Sequence, residues 1–526
     1  MVTPNKQGSS LAMDLANQTE ASGGESCAEQ DRIGAPSLPN TRSKRFWALL
    51  GILILATVLL RMPGFFVEVF NSDETFLATQ AEVINEGGRL YEEATDRKPP
   101  LVPYLYAGVF AVTGTTALWS VRLLAMAAVV LTAMLLAAEA RRRYGEYAAW
   151  TAGLLFVFAS VAFAPQDGQA ANFEIFMLPP MTAAVLLAAR RRMFAAGVAI
   201  AIATLAKQTG AATLLPVIYL AWQATEDDAI SCGRTRQIAE ALAGFALPLA
   251  VVALLIDPGD LLFWAVLGNG SYLGIGSASL YVLGLFAVMT LAFLACNLPI
   301  AWTLPRAWKE RRQYPETVLW LWLASAAVSV AVGFRFFGHY YLQLLPPLVL
   351  LCTGVLARSP WKTLRTTVAA AALIAVGFSV LGYVARPWGD EPRYEEVSDY
   401  LDEHAAVDDR IFVWGHMPEI YWKSGKRPAS RFLSSGFLLG DWGSRPEGDL
   451  STDIPTPGAW EMFMADMANH PPLYILDTAP AGFRGSEYYP IAQFPELKAI
   501  VDERYKYVRT IDGIFIYKRQ PLPLDG

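Results

Sequence analysis

Two adjacent carboxylates, Asp73 and Glu74, open the stretch NSDETFLATQAEVINEGGRLYEEATDRKPPLVPY (71–104), just beyond an apolar segment that ends near Leu60. Carboxylates beside the mouth of a membrane segment are costly to hold there and invite a functional reading. An ionised carboxylate can take a proton from a hydroxyl, and an adjacent pair can also ligate a cation. Farther on, Lys98 is followed by Pro99 and Pro100, a cation on a rigid backbone. Leu77, Ala81 and Ile84 recur at i, i+4 and i+7, so a short amphipathic helix is expected behind the acidic pair. A second set of chemistry-bearing residues is scattered through the chain: Asp167, Glu174, Lys207, Arg335, His339 and Tyr340.

The elements that must position these residues are membrane helices. Of the 526 residues 54% are hydrophobic and 17% charged, where a soluble protein carries about 25% charged. Long uncharged stretches recur from Phe46 to Val384, which defines a polytopic membrane protein with soluble appendages. The net charge of -6 gives no sign of a nucleic-acid partner, and four cysteines do not make a disulfide framework. Residues 1–41 are polar and without apolar periodicity, and read as a disordered cytoplasmic tail. Cys27 and Cys232 fall in polar segments expected in the cytoplasm.

Arg42, Lys44 and Arg45 precede the first apolar run and place the N-terminus inside. The run 101–114 is shorter than the roughly 20 residues a crossing needs, and laying it along the interface keeps Arg141, Arg142 and Arg143 cytoplasmic. Parity then holds through Arg190–Arg192, Arg306–Arg312 and Arg358–Arg365, giving about eleven spans and an external C-terminus. The domains expected are a tail (1–41), a transmembrane domain (42–385) with an external loop at 62–116, and an external α/β domain (386–526). In the last, helices at 393–404 (exposed) and 494–504 alternate with strands at 410–415 and 473–478. A hairpin at 505–519 turns at Asp512-Gly513. The glycine-rich GNGSYLGIGS (268–277) reads as a flexible loop, and His404, His416 and His470 lack metal-ligand spacing.

In this topology Asp73, Glu74, Lys98, Asp167, Glu174, Lys207, Arg335 and His339 all lie at the outer face. Four stretches there resemble, in order, those of the C-type (GT-C) membrane glycosyltransferases, which include protein O-mannosyltransferases and the aminoarabinose transferase of lipid A. Ser72–Leu101, with its Asp-Glu, Gly-Gly and Lys-Pro-Pro-Leu, is similar to the first external loop. DGQAANFEIFMLPP (167–180) is similar to the second. LAKQTGAATLLP (205–216) resembles the Lys-containing break between helices, with Ala206 and Gln208 departing from the usual Thr-Lys-Gly. RFFGHYYLQLLPPL (335–348) resembles the late Arg…His-Tyr motif.

The resemblance implies an inverting transferase that moves a sugar from a polyprenyl-phosphate donor to a lipid, protein or glycan acceptor in the cell envelope, at the outer face of the bacterial inner membrane. Asp73 would be the base. Glu74 would orient the acceptor or bind a divalent metal, the one cofactor open to this site. Lys98, Lys207, Arg335 and His339 would bind the donor phosphate, and Asp167, Glu174 and Tyr340 the substrates. Residue by residue, plainer readings stand beside these: Lys98 snorkelling, Asp167 capping a turn, Arg335 anchoring at the interface and His339 in an aromatic belt. A transporter or flippase would carry ionisable residues at mid-membrane, and a non-catalytic scaffold of envelope assembly would tolerate loss of Asp73.

Overall fold

A computed structural model describes residues 41–223, 233–269, 279–384, 394–440 and 455–521. Residues 1–40, Cys27, Cys232 and most of the glycine-rich run (270–277) lie outside them. The chain divides into two units, Met1–Ala48 and Leu49–Gly526. Of the first, only 41–48 are described, and they are helical.

Helix α1 (Thr41–Arg61) is followed by α2 (Ser72–Asn85), α3 (Leu101–Thr113), α4 (Trp119–Tyr144), α5 (Glu146–Ala159), α6 (Phe173–Ala188), α7 (Met193–Ala206) and α8 (Leu214–Trp222). Then come α9 (Arg234–Leu255), α10 (Pro258–Ala265), α11 (Ser279–Cys296), α12 (Thr317–Ala331), α13 (Leu345–Ala357) and α14 (Trp361–Val384). Among the described residues six helical segments are long and apolar enough to cross a membrane, so the protein is multi-pass. Every span expected from sequence has a helix at its place, but those at α5, α6, α7, α8 and α12 are shorter than the ~20 residues of a simple crossing. They give way at their ends to buried, irregular backbone at 160–172, 207–213 and 332–344. Such backbone persists away from water only where protein groups satisfy it.

Two features set the helical packing. Gly197 of α7 and Gly244 of α9 meet where a Cβ on either would come within 2.0 Å of a carbonyl oxygen of the other helix. Small residues permit this close approach, the main source of helix affinity in lipid. At one set of helix ends, buried Glu139 collects Arg142, Arg143 and Arg190, while Arg143 also reaches Glu316 at 2.5 Å. The arginine triplets expected on one side by charge therefore do converge, around a carboxylate.

The C-terminal region begins with α15 (Tyr394–His404) and holds a five-stranded sheet of β1 (Arg410–Trp414), β2 (Arg427–Pro428), β3 (Tyr474–Asp477), β4 (Tyr505–Ile511) and β5 (Ile514–Arg519), in the order β2-β1-β3-β5-β4. β1 pairs parallel with β2 and β3, and β5 pairs antiparallel with β3 and β4. The hairpin turns where expected, with Asp512 and Gly513 both at positive φ. Helix α15 is amphipathic rather than exposed: Val397 and Leu401 are fully buried, since a helix without an apolar stripe has nothing to hold it on a sheet. Phe76, Val83, Leu90, Tyr91 and Ala94 of the first long loop pack into the same core as Phe412, Trp414 and Leu476. The sheet and that loop thus share one hydrophobic cluster, apart from the main one among the long helices.

Candidate active site

The irregular segment 160–172 is pinned first. Arg61 at the end of α1 donates to the carbonyls of Ser160, Gly168 and Gln169, and Tyr106 of α3 donates to the Ala171 carbonyl at 2.6 Å. Held this way, Asp167 faces the segment before α13. One of its oxygens accepts from the Gly338 amide at 2.7 Å, and the other lies 3.1 Å from His339 Nδ1. Asp167 therefore does cap a turn, but one far away in sequence. A Cβ at Gly338 would sit 2.3 Å from that of Ala164, so only glycine permits this approach. Burial raises the Asp167 pKa, yet the neighbouring His339 charge and these hydrogen bonds bring it below the usual carboxylate range.

From His339 the cluster continues to Glu174, 3.9 Å from Nε2, and from Glu174 to Lys207, its buried ion-pair partner. The Lys207 ammonium lies 3.6 Å from the centre of the Tyr340 ring, and Lys98 lies 4.1 Å from that of Phe173, the residue before Glu174. Gly210 closes the turn after α7, where a Cβ would meet the Ala203 backbone at 2.5 Å, and so fixes Lys207 at the helix end. Burial depresses Lys98, but the carboxylates of Asp96, Asp73 and Glu174 outweigh it and hold its pKa above the ordinary value. Two ammonium groups thus flank one carboxylate, within the field of a second.

That second carboxylate is Asp73. Asn71 caps α2 by accepting from the Asp73 amide at 2.8 Å, and its side-chain amide donates to Asp167 at 3.3 Å, so the cap ties the acidic pair to the cluster. The Asp73 side chain is half-buried and has no hydrogen-bond partner among the described residues. Glu74 differs. Fully buried, it pairs with Arg122 at 2.6 Å and accepts the Ala171 amide, while Arg122 also grips the carbonyls of Gly64, Val67 and Glu68. The pair therefore does not present two carboxylates to one cation, and no three of His, Cys, Asp and Glu converge on a metal-sized site among the described residues. Arg335 is buried in the turn that carries His339, between Phe334 and Phe336, both at positive φ. Bulky residues reach that region only where surrounding structure over-determines them, as happens at functional sites.

Several site residues escaped sequence reasoning. Asn71 was legible as an N-cap, and Arg122, a charge early in an apolar helix, is the kind of residue that signals a buried partner. Gln208 donates to the carbonyls of Arg97 and Ala265, and Asn269 also donates to that of Arg97, bracing the backbone next to Lys98. Asp96, two residues before Lys98, is buried, and burial pushes its pKa up against the pull of Lys98 and Arg97.

The comparisons agree with this architecture. ArnT from Cupriavidus metallidurans bound to undecaprenyl phosphate superposes with a TM-score of 0.56 at 14% identity, over 91% of this chain and 98% of that one. Its apo form gives 0.57 at 14% identity with the same coverage. The Archaeoglobus fulgidus oligosaccharyltransferase in complex with Zn and sulfate gives 0.51 at 14% identity, over 90% and 74%. The chain therefore has a GT-C-like membrane fold. Within it, residues 97–256 match the profile of the dolichyl-phosphate-mannose-protein mannosyltransferase family. None of the curated proteins matches the chain in sequence.

Proposed function

We propose that this protein transfers a sugar from a polyprenyl-phosphate-linked donor to a cell-envelope acceptor at the outer face of the inner membrane, with the C-terminal region on that same side. The observation that carries the reading is the pair of ammonium groups, Lys98 and Lys207, set around Glu174 within the field of Asp73. The acceptor hydroxyl attacks the anomeric carbon as the bond to the phosphate oxygen breaks, and its proton passes to Asp73. The electron pair leaves on the polyprenyl phosphate, whose developing charge Lys98 and Lys207 offset. Attack opposite the leaving phosphate inverts the anomeric centre. Arg335 and His339 complete the phosphate cradle. Glu174 and Asp167 hold Lys207 and His339 in place, and the Tyr340 ring backs the Lys207 ammonium. Glu74 acts by positioning α2.

Transfer of radiolabelled sugar in membranes tests this. Asp73→Asn is expected to lower the rate about 10²–10⁴-fold at equal protein level, the scale of a lost general base. Unchanged transfer would remove Asp73 from the mechanism and favour a scaffold. Donor-independent lipid movement by wild type would favour a flippase.

A further inference from the structure

Away from the cluster, a cleft of about 350 Å³ opens where the first long loop meets the sheet region. Glu92 and Glu93 line it on the loop side, and Arg410, Arg431, Asp466 and Asn469 on the other. Its walls are preorganised. Arg410 reaches Glu93 at 3.3 Å and donates to the Pro428 carbonyl at 2.8 Å, while Arg431 pairs with Asp466 at 2.8 Å. Asp466 also accepts from the Ser430 hydroxyl and the Arg431 amide, and the Arg431 carbonyl accepts from the Thr95 amide across the seam.

The chemistry of these walls selects an occupant. Three carboxylates face two guanidinium groups and the His470 imidazole, so an inorganic anion meets carboxylates and a simple cation meets arginines. Ala429 is the one apolar residue lining the cleft, which leaves peptide side chains nothing to bury against. The adjacent edge strand β2 is two residues long and offers almost no ladder to a peptide backbone. Fixed carboxylates, an amide and half-satisfied guanidinium forks present donors and acceptors together, as vicinal hydroxyl groups do. The volume lies at the small end of ligand pockets, roughly 300–1,000 Å³. Lys98 lies six positions beyond Glu92, at most ~22 Å of extended chain.

We infer that this cleft binds an uncharged saccharide segment of the acceptor, so that the acceptor is a glycan held at a distance from its reacting hydroxyl. The inference rests on the transferase reading above. Full-length protein in nanodiscs, titrated with mannotriose and with the N-acetylglucosamine trimer by saturation-transfer NMR, tests it. Inorganic phosphate and a threonine-containing hexapeptide serve as controls. At least one trisaccharide is expected to bind saturably. The double substitution Glu92→Gln with Asn469→Ala, at two exposed positions, is expected to weaken it tenfold or more without changing undecaprenyl phosphate binding. Failure of both trisaccharides, undiminished binding by the double variant, or preferential binding of the hexapeptide overturns the proposal. Asp73→Asn should leave trisaccharide binding intact, so loss of transfer and loss of the cleft are read separately.

Discussion

Glu74 and Asp73 are neighbours in sequence and opposites in use. Asp73 keeps a half-buried carboxylate whose charge acts on Lys98 and Lys207, whereas Glu74 is sealed against Arg122. Glu74→Gln leaves the Arg122 charge buried and uncompensated, so a loss of about 3–5 kcal/mol is expected, against little change for Asp73→Asn. Thermal unfolding of the two purified variants compares them, and equal stability would contradict the assignment. Glu82 of α2 supplies a pH-dependent counterpart. Burial pushes its carboxyl up to about 8, with Glu86 adding to the shift and the Thr116 hydroxyl opposing it. An unfolded glutamate titrates near ~4.3, so the folded chain keeps a proton that the unfolded chain releases. That stability is complete below pH ~4.3 and is lost as pH rises through about 8. Glu82→Gln should flatten the fall in Tm between about pH 4.3 and about 8; an unaltered slope would assign it to other groups.

Among the elements, the turn after α7 couples the two lysines. Gln208 follows Lys207 directly and donates to the Arg97 carbonyl, one residue before Lys98. The same amide reaches Ala265, beside Trp264 in the core shared with the sheet. Gln208→Ala removes the brace without touching either charge. The expected result is a donor KM raised several-fold to tenfold, about the energy of one or two hydrogen bonds, with kcat changed less. A fall confined to kcat would place Gln208 in the chemical step instead. The departure from the glycine of the Thr-Lys-Gly motif that this stretch resembles was visible in the sequence. What it was for was not, because the partners lie 111 and 57 residues away.

Over the whole molecule, the sheet region and the first long loop stand or fall together. Trp422 donates to the Thr116 carbonyl at 3.0 Å, Lys423 pairs with Glu68 at 2.6 Å, and Phe76, Tyr91 and Trp264 are buried in the sheet's core. Deleting residues 394–526 would bare that apolar surface beside the Lys98 loop. The truncated chain is expected to accumulate poorly and to lose transfer, measured by membrane protein level and by turnover per molecule. Full activity of a stably inserted truncation would show that the sheet region does not support the loop.

Composition, apolar runs and arginine placement were enough to establish a multi-pass membrane protein and the place of each expected span, and local pattern gave two strands and the hairpin of the C-terminal region. These properties are local: a strand of Ile-Phe-Val-Trp and an Asp-Gly turn announce themselves within a few residues. Four short motifs in order also marked Asp167, Glu174, Lys207 and His339 as candidates for one site. Only the tertiary structure decided how they connect: that Asp167 caps a turn 171 residues away, that Glu74 is committed to Arg122, and that α15 buries a face. Pairing energies of buried charges depend on distance and desolvation, and neither is written in the spacing of residues along the chain.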